Sequence, residues 1–201
     1  MIKIEFAKLE DAKEILKLYD YYIQNTAITF EVETPSLEEF ENRIKNIQKR
    51  YPYLVARKDE KIVGHAYANV FKDRAAYDWA VEVTIYVDPQ YKKQGIGKQL
   101  YSVLESILKK QGIINLYACI ASPVKEDQYL NYNSIEFHSH LGYVTVGTFH
   151  KCGYKFDTWY DMVWMEKMIG KHTIPSKPIK SMDELIKIWG KDALICDKME
   201  T

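Results

Sequence analysis

Apolar and polar residues alternate from the first position, Met1-Ile-Lys-Ile-Glu-Phe, and predict a strand over residues 2–6. Ile15, Leu16, Leu18, Tyr19, Tyr22 and Ile23 then recur at helical spacing, the buried stripe of a first helix. Thr34-Pro35-Ser36 opens a second helix, with Glu39 three residues after Ser36 as a capping box requires and Leu37, Phe40, Ile44 and Ile47 as its apolar face. Beyond it a period of two takes over. Tyr53–Arg57, Ile62–Phe71 and Ala80–Val87 read as strands, joined by the turn-like Lys58-Asp59-Glu60-Lys61 and a polar loop over 72–78, which predicts an antiparallel meander. A helix with apolar Leu100, Val103, Leu104, Ile107 and Leu108, a strand over Ile114–Ala121, a helix over 131–141 and strands near 143–150 and 159–167 complete the set. This order predicts a mixed α/β sheet with helices on both faces.

One junction carries more than structure. In Ile85-Tyr86-Val87-Asp88-Pro89-Gln90-Tyr91-Lys92-Lys93-Gln94-Gly95-Ile96-Gly97-Lys98 an apolar strand runs through a Pro turn into a basic, glycine-punctuated segment that opens a helix. The first backbone N–H groups of that helix have no partner within it, so the segment is suited to an anion and to phosphates in particular. It is not a Walker loop, because one residue separates Gly95 from Gly97 and Gln99 follows Lys98. It is not a dinucleotide fingerprint either, since Leu100 stands where a third glycine belongs. Taken alone, a Gly-x-Gly before a helix is as well explained by an ordinary turn, and Lys92, Lys93 and Lys98 by a solvated basic face.

The surroundings change that balance. Lys92-Lys93-Gln94-Gly95-Ile96-Gly97 resembles the Arg/Gln-x-x-Gly-x-Gly/Ala acyl-CoA pyrophosphate loop of the GNAT N-acetyltransferase superfamily, with Lys in place of the usual first residue. About 35 residues on, Asn131-x-x-Ser134-x-x-Phe137-His138-x-x-x-Gly142-Tyr143 resembles the superfamily's second CoA-contacting helix. Three further stretches resemble the phosphinothricin and methionine sulfone/sulfoximine N-acetyltransferase subgroup: Phe71-Lys-Asp-Arg74-Ala-Ala-Tyr77, Val81-Glu82-Val-Thr-Ile-Tyr86-Val87, and the run from Gly147 through Lys155, Phe156 and Trp159 to Asp161. The likeness spans residues 1–168, an N-acetyltransferase domain, and leaves residues 169–201 as an extension.

The resemblance implies a largely antiparallel, twisted mixed sheet in which the strands at 80–87 and 114–121 run parallel and splay apart around the pantetheine arm. It implies acetyl-CoA as cosubstrate and Glu82 as general base for a small amino acid's α-amine. Ile85, Tyr86 and Val87 would hold the acetyl carbonyl and pantetheine amides through their backbone, and Lys93, Gln94, Gly95, Ile96, Gly97 and Lys98 the pyrophosphate. Asn131 and Ser134 would contact the cofactor, although both residue types also suit a helix start. His138 takes the place of a tyrosine that protonates the departing thiolate in many members, and an imidazolium there could do the same; a lone helical His is otherwise packed or surface-exposed. Phe30 with its neighbour Glu31, Arg74, Tyr77 and Thr84 match positions near the acceptor, and an Arg suits a carboxylate. An exposed loop Arg making a surface pair is the plain alternative. Tyr154, Phe156, Trp159, Tyr160 and Trp164 could line the acceptor pocket, a dimer contact or core. The subgroup implies a homodimer.

Composition narrows the partners. With 28 basic and 28 acidic residues the net charge is zero, so a general affinity for nucleic acid or anionic membrane has no support. No apolar run approaches a membrane span, and no signal peptide is visible. Cys119, Cys152 and Cys196 suit neither a disulfide framework nor a metal cluster and fit a reducing cytoplasm. No cysteine has the context of a nucleophile, which predicts direct attack without an acetyl-enzyme. The extension opens on Pro175-Ser-Lys-Pro178, after which Ser181 caps a short helix with Met182, Leu185, Ile186 and Trp189 on one face, expected to dock on its own domain. Two other readings stay open: acetylation of a polyamine, aminoglycoside or peptide N-terminus, and an inactive CoA-binding regulator.

Overall fold

In a computed structural model that describes residues 1–196, seven strands form one sheet in the order β1-β2-β3-β4-β5-β7-β6. The strands are β1 (Ile2–Phe6), β2 (Tyr53–Lys58), β3 (Lys61–Val70), β4 (Ala80–Val87), β5 (Asn115–Ser122), β6 (Val144–Lys155) and β7 (Thr158–Met168). All neighbours are antiparallel except β4 and β5. The α/β architecture is as the order of elements predicts, and the parallel pair is as the resemblance implies.

Helices α1 (Ala12–Asn25) and α2 (Leu37–Gln48) cover one face of the β2–β4 region. Their stripes are buried as read: Ile15, Leu18, Tyr19, Tyr22 and Ile23 on α1, Phe40, Ile44 and Ile47 on α2. Half of the expected capping box forms. Ser36 Oγ accepts from the Glu39 amide at 3.1 Å, while the Glu39 carboxylate turns outward to Arg43 at 2.6 Å. An ion pair one turn along offered that carboxylate a stronger partner than a backbone N–H.

Helices α3 (Ile96–Gln111) and α4 (Asn133–His140) lie on the other face. Alternation along β4 divides the two: Val81, Val83 and Ile85 turn toward α3, and Glu82, Thr84 and Tyr86 toward α1 and α2. α4 is shorter than read. Asn131 stands outside it and closes a turn by accepting the Asn133 amide at 3.1 Å, so the helix begins two residues later than predicted.

β6 extends beyond the predicted strand. An irregularity between Phe149 and Gly153 carries it past the expected end, with Lys151 at φ 49°. Residues after 168 return to the domain. The Trp79 indole donates to the Lys177 carbonyl at 2.7 Å and the Lys180 amide to the Gln111 carbonyl at 2.8 Å. Helix α5 (Met182–Trp189) then buries Met182 and Leu185, and a further turn of helix, α6 (Lys191–Ile195), buries Leu194. The Ser181–Glu184 capping box is complete. The last five residues of the expected extension, 197–201, lie outside the described residues.

Candidate active site

Hydrogen-bonded pairing between β4 and β5 consists of Ala80 with Asn115, Val81 with Leu116 and Glu82 with Tyr117, and then stops. Past that rung β4 keeps its partner β3 as far as Val87, and β5 keeps β7 as far as Ser122. The two strands therefore part immediately after Glu82. The parting leaves a slot edged by strand backbone, as an extended amide chain needs. At its far end the Tyr22 hydroxyl donates to the Val87 carbonyl at 2.5 Å, and the Asp88 amide donates to Val63.

Beyond the slot, α3 opens with Gly95 at φ 78°, a left-handed cap that glycine adopts without penalty, and Lys93 is left-handed too at φ 60°. The Gln99 amide is the first to bond back, to the Gly95 carbonyl at 3.1 Å, so the amides of Ile96, Gly97 and Lys98 remain free of helical partners. Gly97 has a second role that the motif does not reveal. A Cβ there would come within 3.0 Å of the Phe137 ring and 3.5 Å of Ile85, so its absence lets α4 approach α3. Lys92 is drawn inward over the Tyr22 ring at 5.3 Å, and burial lowers its ammonium's proton affinity. These observations fit a pyrophosphate-bearing ligand whose amide arm runs along β4.

Glu82 is half-buried at the rim of the slot. Removal from water pushes its carboxyl above the usual carboxylate range, and the Lys72 ammonium partly offsets this. Lys72 itself sits over the rings of Phe71 at 5.2 Å and Trp164 at 5.8 Å. Glu82 also faces Cys119, whose thiol the desolvating strand surface and that carboxylate push up to about 12, which makes a thiolate nucleophile unavailable near neutrality.

Two hollows flank the Glu82 rung. The first, about 300 Å³, lies between the sheet and α1 and α2 and is lined by Tyr19, Arg43, His65, Tyr67, Asn69 and Tyr86 among others. Asn69 stands directly across the ladder from Glu82, Tyr67 across from Thr84 and His65 across from Tyr86. The second, about 310 Å³, is lined by Arg50, Lys72, Arg74, Tyr77, Asp78 and Ala80 among others. Arg50 is committed to Asp78 at 2.6 Å, whereas Arg74 makes no ion pair among the described residues. Tyr77 packs edge-on to Phe71.

The structure puts Arg74 and Tyr77 together in the second hollow, whose Lys72 acts on Glu82, leaves Thr84 two residues further along β4 across from Tyr67, and sets Phe30 apart. The Phe30 ring lies on Gly153 of β6, where a Cβ would stand 2.3 Å from it, and Glu31 is the residue of that loop that lines the first hollow. The loop is tied down by the Lys155 ammonium, which donates to the Thr29 carbonyl at 2.9 Å.

His138 is 5% exposed, beneath the rings of Tyr101, Phe137 and Tyr143. Its Nδ1 lies 2.7 Å from the Ser134 carbonyl and must donate, so Nε2 accepts from the Tyr101 hydroxyl at 3.0 Å. Burial pushes this imidazole down to about 4, so it is neutral near pH 7. Burial disfavours an imidazolium at this position, and the neutral ring has a partner at each nitrogen, which favours the packed reading of His138. Lys72, His65, Asn69 and Arg43 escaped the sequence reading. Gly64-His65-Ala66-Tyr67-Ala68-Asn69 did carry a signal, larger polar-tipped side chains alternating with small ones along one strand.

Comparison with known proteins places these features in context. Residues 4–164 match the model of the acetyltransferase (GNAT) domain. A phosphinothricin N-acetyltransferase of Streptomyces viridochromogenes is 30% identical over 92% of this chain and 96% of its own length. A methionine sulfoximine/methionine sulfone acetyltransferase of Salmonella typhimurium is 26% identical over 86% of this chain and 97% of its own. The crystal structure of a phosphinothricin acetyltransferase from Sinorhizobium meliloti in complex with acetyl-CoA superposes with a TM-score of 0.80 at 30% identity, covering 89% of this chain and 94% of that one.

Proposed function

The chain belongs to the acetyltransferase (GNAT) domain family and is an acetyl-CoA-dependent N-acetyltransferase; we propose that its acceptor is the α-amine of a small amino acid, with phosphinothricin, methionine sulfoximine and methionine sulfone foremost. The observation that carries this reading is the end of the β4–β5 ladder at Glu82, which puts a carboxylate of raised proton affinity where the slot for the acyl donor opens.

Acetyl-CoA supplies an activated acyl group, and the chain must bind it, neutralise the acceptor ammonium and steady the developing charge. The free amides at the start of α3 and the lysines beside them hold the pyrophosphate. Backbone along Ile85, Tyr86 and Val87 receives the amide arm and the acyl carbonyl, so it acts without side chains. Glu82 takes the proton from the ammonium, directly or through one water, and its raised affinity suits that exchange better than an ordinary carboxylate does. Arg74, with Lys72 beside it, grips the acceptor carboxylate. Attack is direct, in keeping with the suppressed Cys119 thiol. His138 serves as a positioning residue for α4, where Asn131 and Ser134 stand, and does not protonate the departing thiolate. The exposed Val144, Val146 and Phe149 of β6, with Trp159 of β7, fit a contact with a second copy, and three free cysteines fit the cytoplasm.

Release of free CoA, measured for the wild type and Glu82→Gln with the three named amino acids, common amino acids, polyamines and aminoglycosides, tests the reading. Turnover confined to amino acids and reduced by about 10²- to 10⁴-fold in Glu82→Gln is expected, with the rising limb of the pH profile lying above the usual carboxylate range and lost in the variant. Turnover only on other amines removes the acceptor assignment, and an unimpaired Glu82→Gln removes the base.

A further inference from the structure

The loop that carries Arg74 and Tyr77 has little of its own to hold it. Residues 72–77 are all exposed. A single turn of 3-10 helix, Ala75–Tyr77, is closed by the Tyr77 amide on the Arg74 carbonyl at 2.9 Å and the Asp78 amide on the Ala75 carbonyl at 3.1 Å. At the entry Phe71 stacks on Tyr117 at 4.3 Å. Where the Arg74 guanidinium stands therefore depends on what fixes the exit at Asp78 and Trp79.

Contacts from that exit lead to the C-terminal extension by two routes. The Trp79 carbonyl accepts from the Ile114 and Asn115 amides at 2.9 and 3.1 Å, which joins the exit to β5, and the Trp79 indole N–H donates to the Lys177 carbonyl at 2.7 Å. Asp78 pairs with Arg50 at 2.6 Å, the Arg50 carbonyl accepts from the Gln111 side-chain amide at 2.7 Å, and the Gln111 carbonyl accepts from the Lys180 amide at 2.8 Å. The extension is itself held on both sides of these contacts. Before them the Ile169 amide donates to the Ile114 carbonyl at 2.9 Å; after them Met182 and Leu185 of α5 and Leu194 of α6 are buried in the main core. Ile179 lies on Gly112, where a Cβ would stand 3.6 Å from its Cα. Lys177 thus offers a carbonyl fixed by packing on either side, from a segment that lies beyond residues 4–164, the part of the chain that matches the acetyltransferase domain.

We propose that the C-terminal extension braces the acceptor-binding loop, and that Trp79 is the positioning residue through which it holds Arg74 in place for the acceptor's carboxylate. The inference rests on the amino-acid reading above, in which Arg74 grips that carboxylate. A loop ordered before the acceptor arrives loses none of the binding free energy to its own ordering. Freeing the indole lets the exit fray, and the loss falls on the group that Arg74 holds. The anion site for the acyl donor is spared, because the Ile96 end of the 16-residue α3 stands about 22 Å from its Gln111 end.

The test compares KM for methionine sulfone and for its methyl ester, which keeps the amine and lacks the carboxylate, in the wild type, Trp79→Phe, Arg74→Ala and the double variant. Melting curves verify folding; Trp79 is part-exposed, and Phe keeps an aromatic ring there while removing the N–H. Trp79→Phe should raise KM for methionine sulfone by about 3- to 10-fold, the range expected for one hydrogen bond, with KM for acetyl-CoA and for the ester unchanged. In the Arg74→Ala background the same substitution should add nothing further. A folded Trp79→Phe with KM for methionine sulfone unchanged overturns the brace. So does an equal rise for the ester or in the Arg74→Ala background, which a merely structural role for Trp79 would give. Both leave the amino-acid reading intact. An Arg74→Ala that leaves KM for methionine sulfone unchanged, a wild type that prefers the ester, or one that turns over neither compound overturns the carboxylate grip on which that reading depends, and the brace with it.

Discussion

Replacing His138 by Phe separates a packed imidazole from a catalytic one through the dependence of stability on pH. In the folded chain the group titrates near 4, against 6.5 for an unperturbed histidine. Between those values the unfolded chain holds a proton at this position that the folded chain does not, so stability falls as pH drops from 6.5 toward 4 and is fully present above 6.5. At pH 5 the difference is about 2 kcal/mol, and at the acid limit about 3 kcal/mol. For a chain of this size 2 kcal/mol lowers the melting temperature by roughly 4–8 °C. The variant loses the Tyr101 and Ser134 hydrogen bonds, which costs about 1–3 kcal/mol at pH 7. It also loses the titration, so its melting temperature should decline less between pH 7 and 5. His65, buried neutral as well, contributes equally to both proteins and cancels in the difference. Melting curves at intervals from pH 7.5 to 5, with turnover at saturating substrates, constitute the assay. Parallel stability profiles would refute the neutral, buried imidazole. A folded variant with turnover reduced by 100-fold or more would restore His138 as a proton donor.

Two further outcomes follow from the same geometry. Gly97→Ala would set a Cβ 3.0 Å from the Phe137 ring, so α4 must shift; KM for acetyl-CoA should rise by about 10-fold while the pH limb set by Glu82 stays in place, and an unchanged KM would contradict the close helix contact. Sedimentation equilibrium should return twice the 23.6 kDa chain mass, whereas a monomer at micromolar concentration would discard the β6–β7 contact.

Much of this protein was legible along the chain because its signals are local. Periodicity named all seven strands and five of the helices, since alternation and the i, i+3, i+4 stripe are each contained in a few turns of chain. The candidate anion cradle was legible for the same reason, as glycines and free amides at a helix start occupy consecutive residues. The fold class followed from the order of elements, and the acyl donor from the resemblance of two such motifs, in order, to the GNAT superfamily.

What tertiary structure decided was the meaning of residues whose partners lie far off in sequence. For His138 the sequence left a proton donor and a packed side chain both open, and Tyr101 of α3, 37 residues away, weights the choice toward packing. Gly97 read as phosphate-binding alone until Phe137 of α4 was seen to occupy the space of its missing Cβ. His65, Arg43 and Asn69 have no local pattern in common, because they become neighbours only when α2 packs over the β3–β4 ladder. Whether Glu82 was an ordinary surface carboxylate or a half-buried one of raised proton affinity also depended on where two strands part, and desolvation is a property of the assembled surroundings and not of the residue.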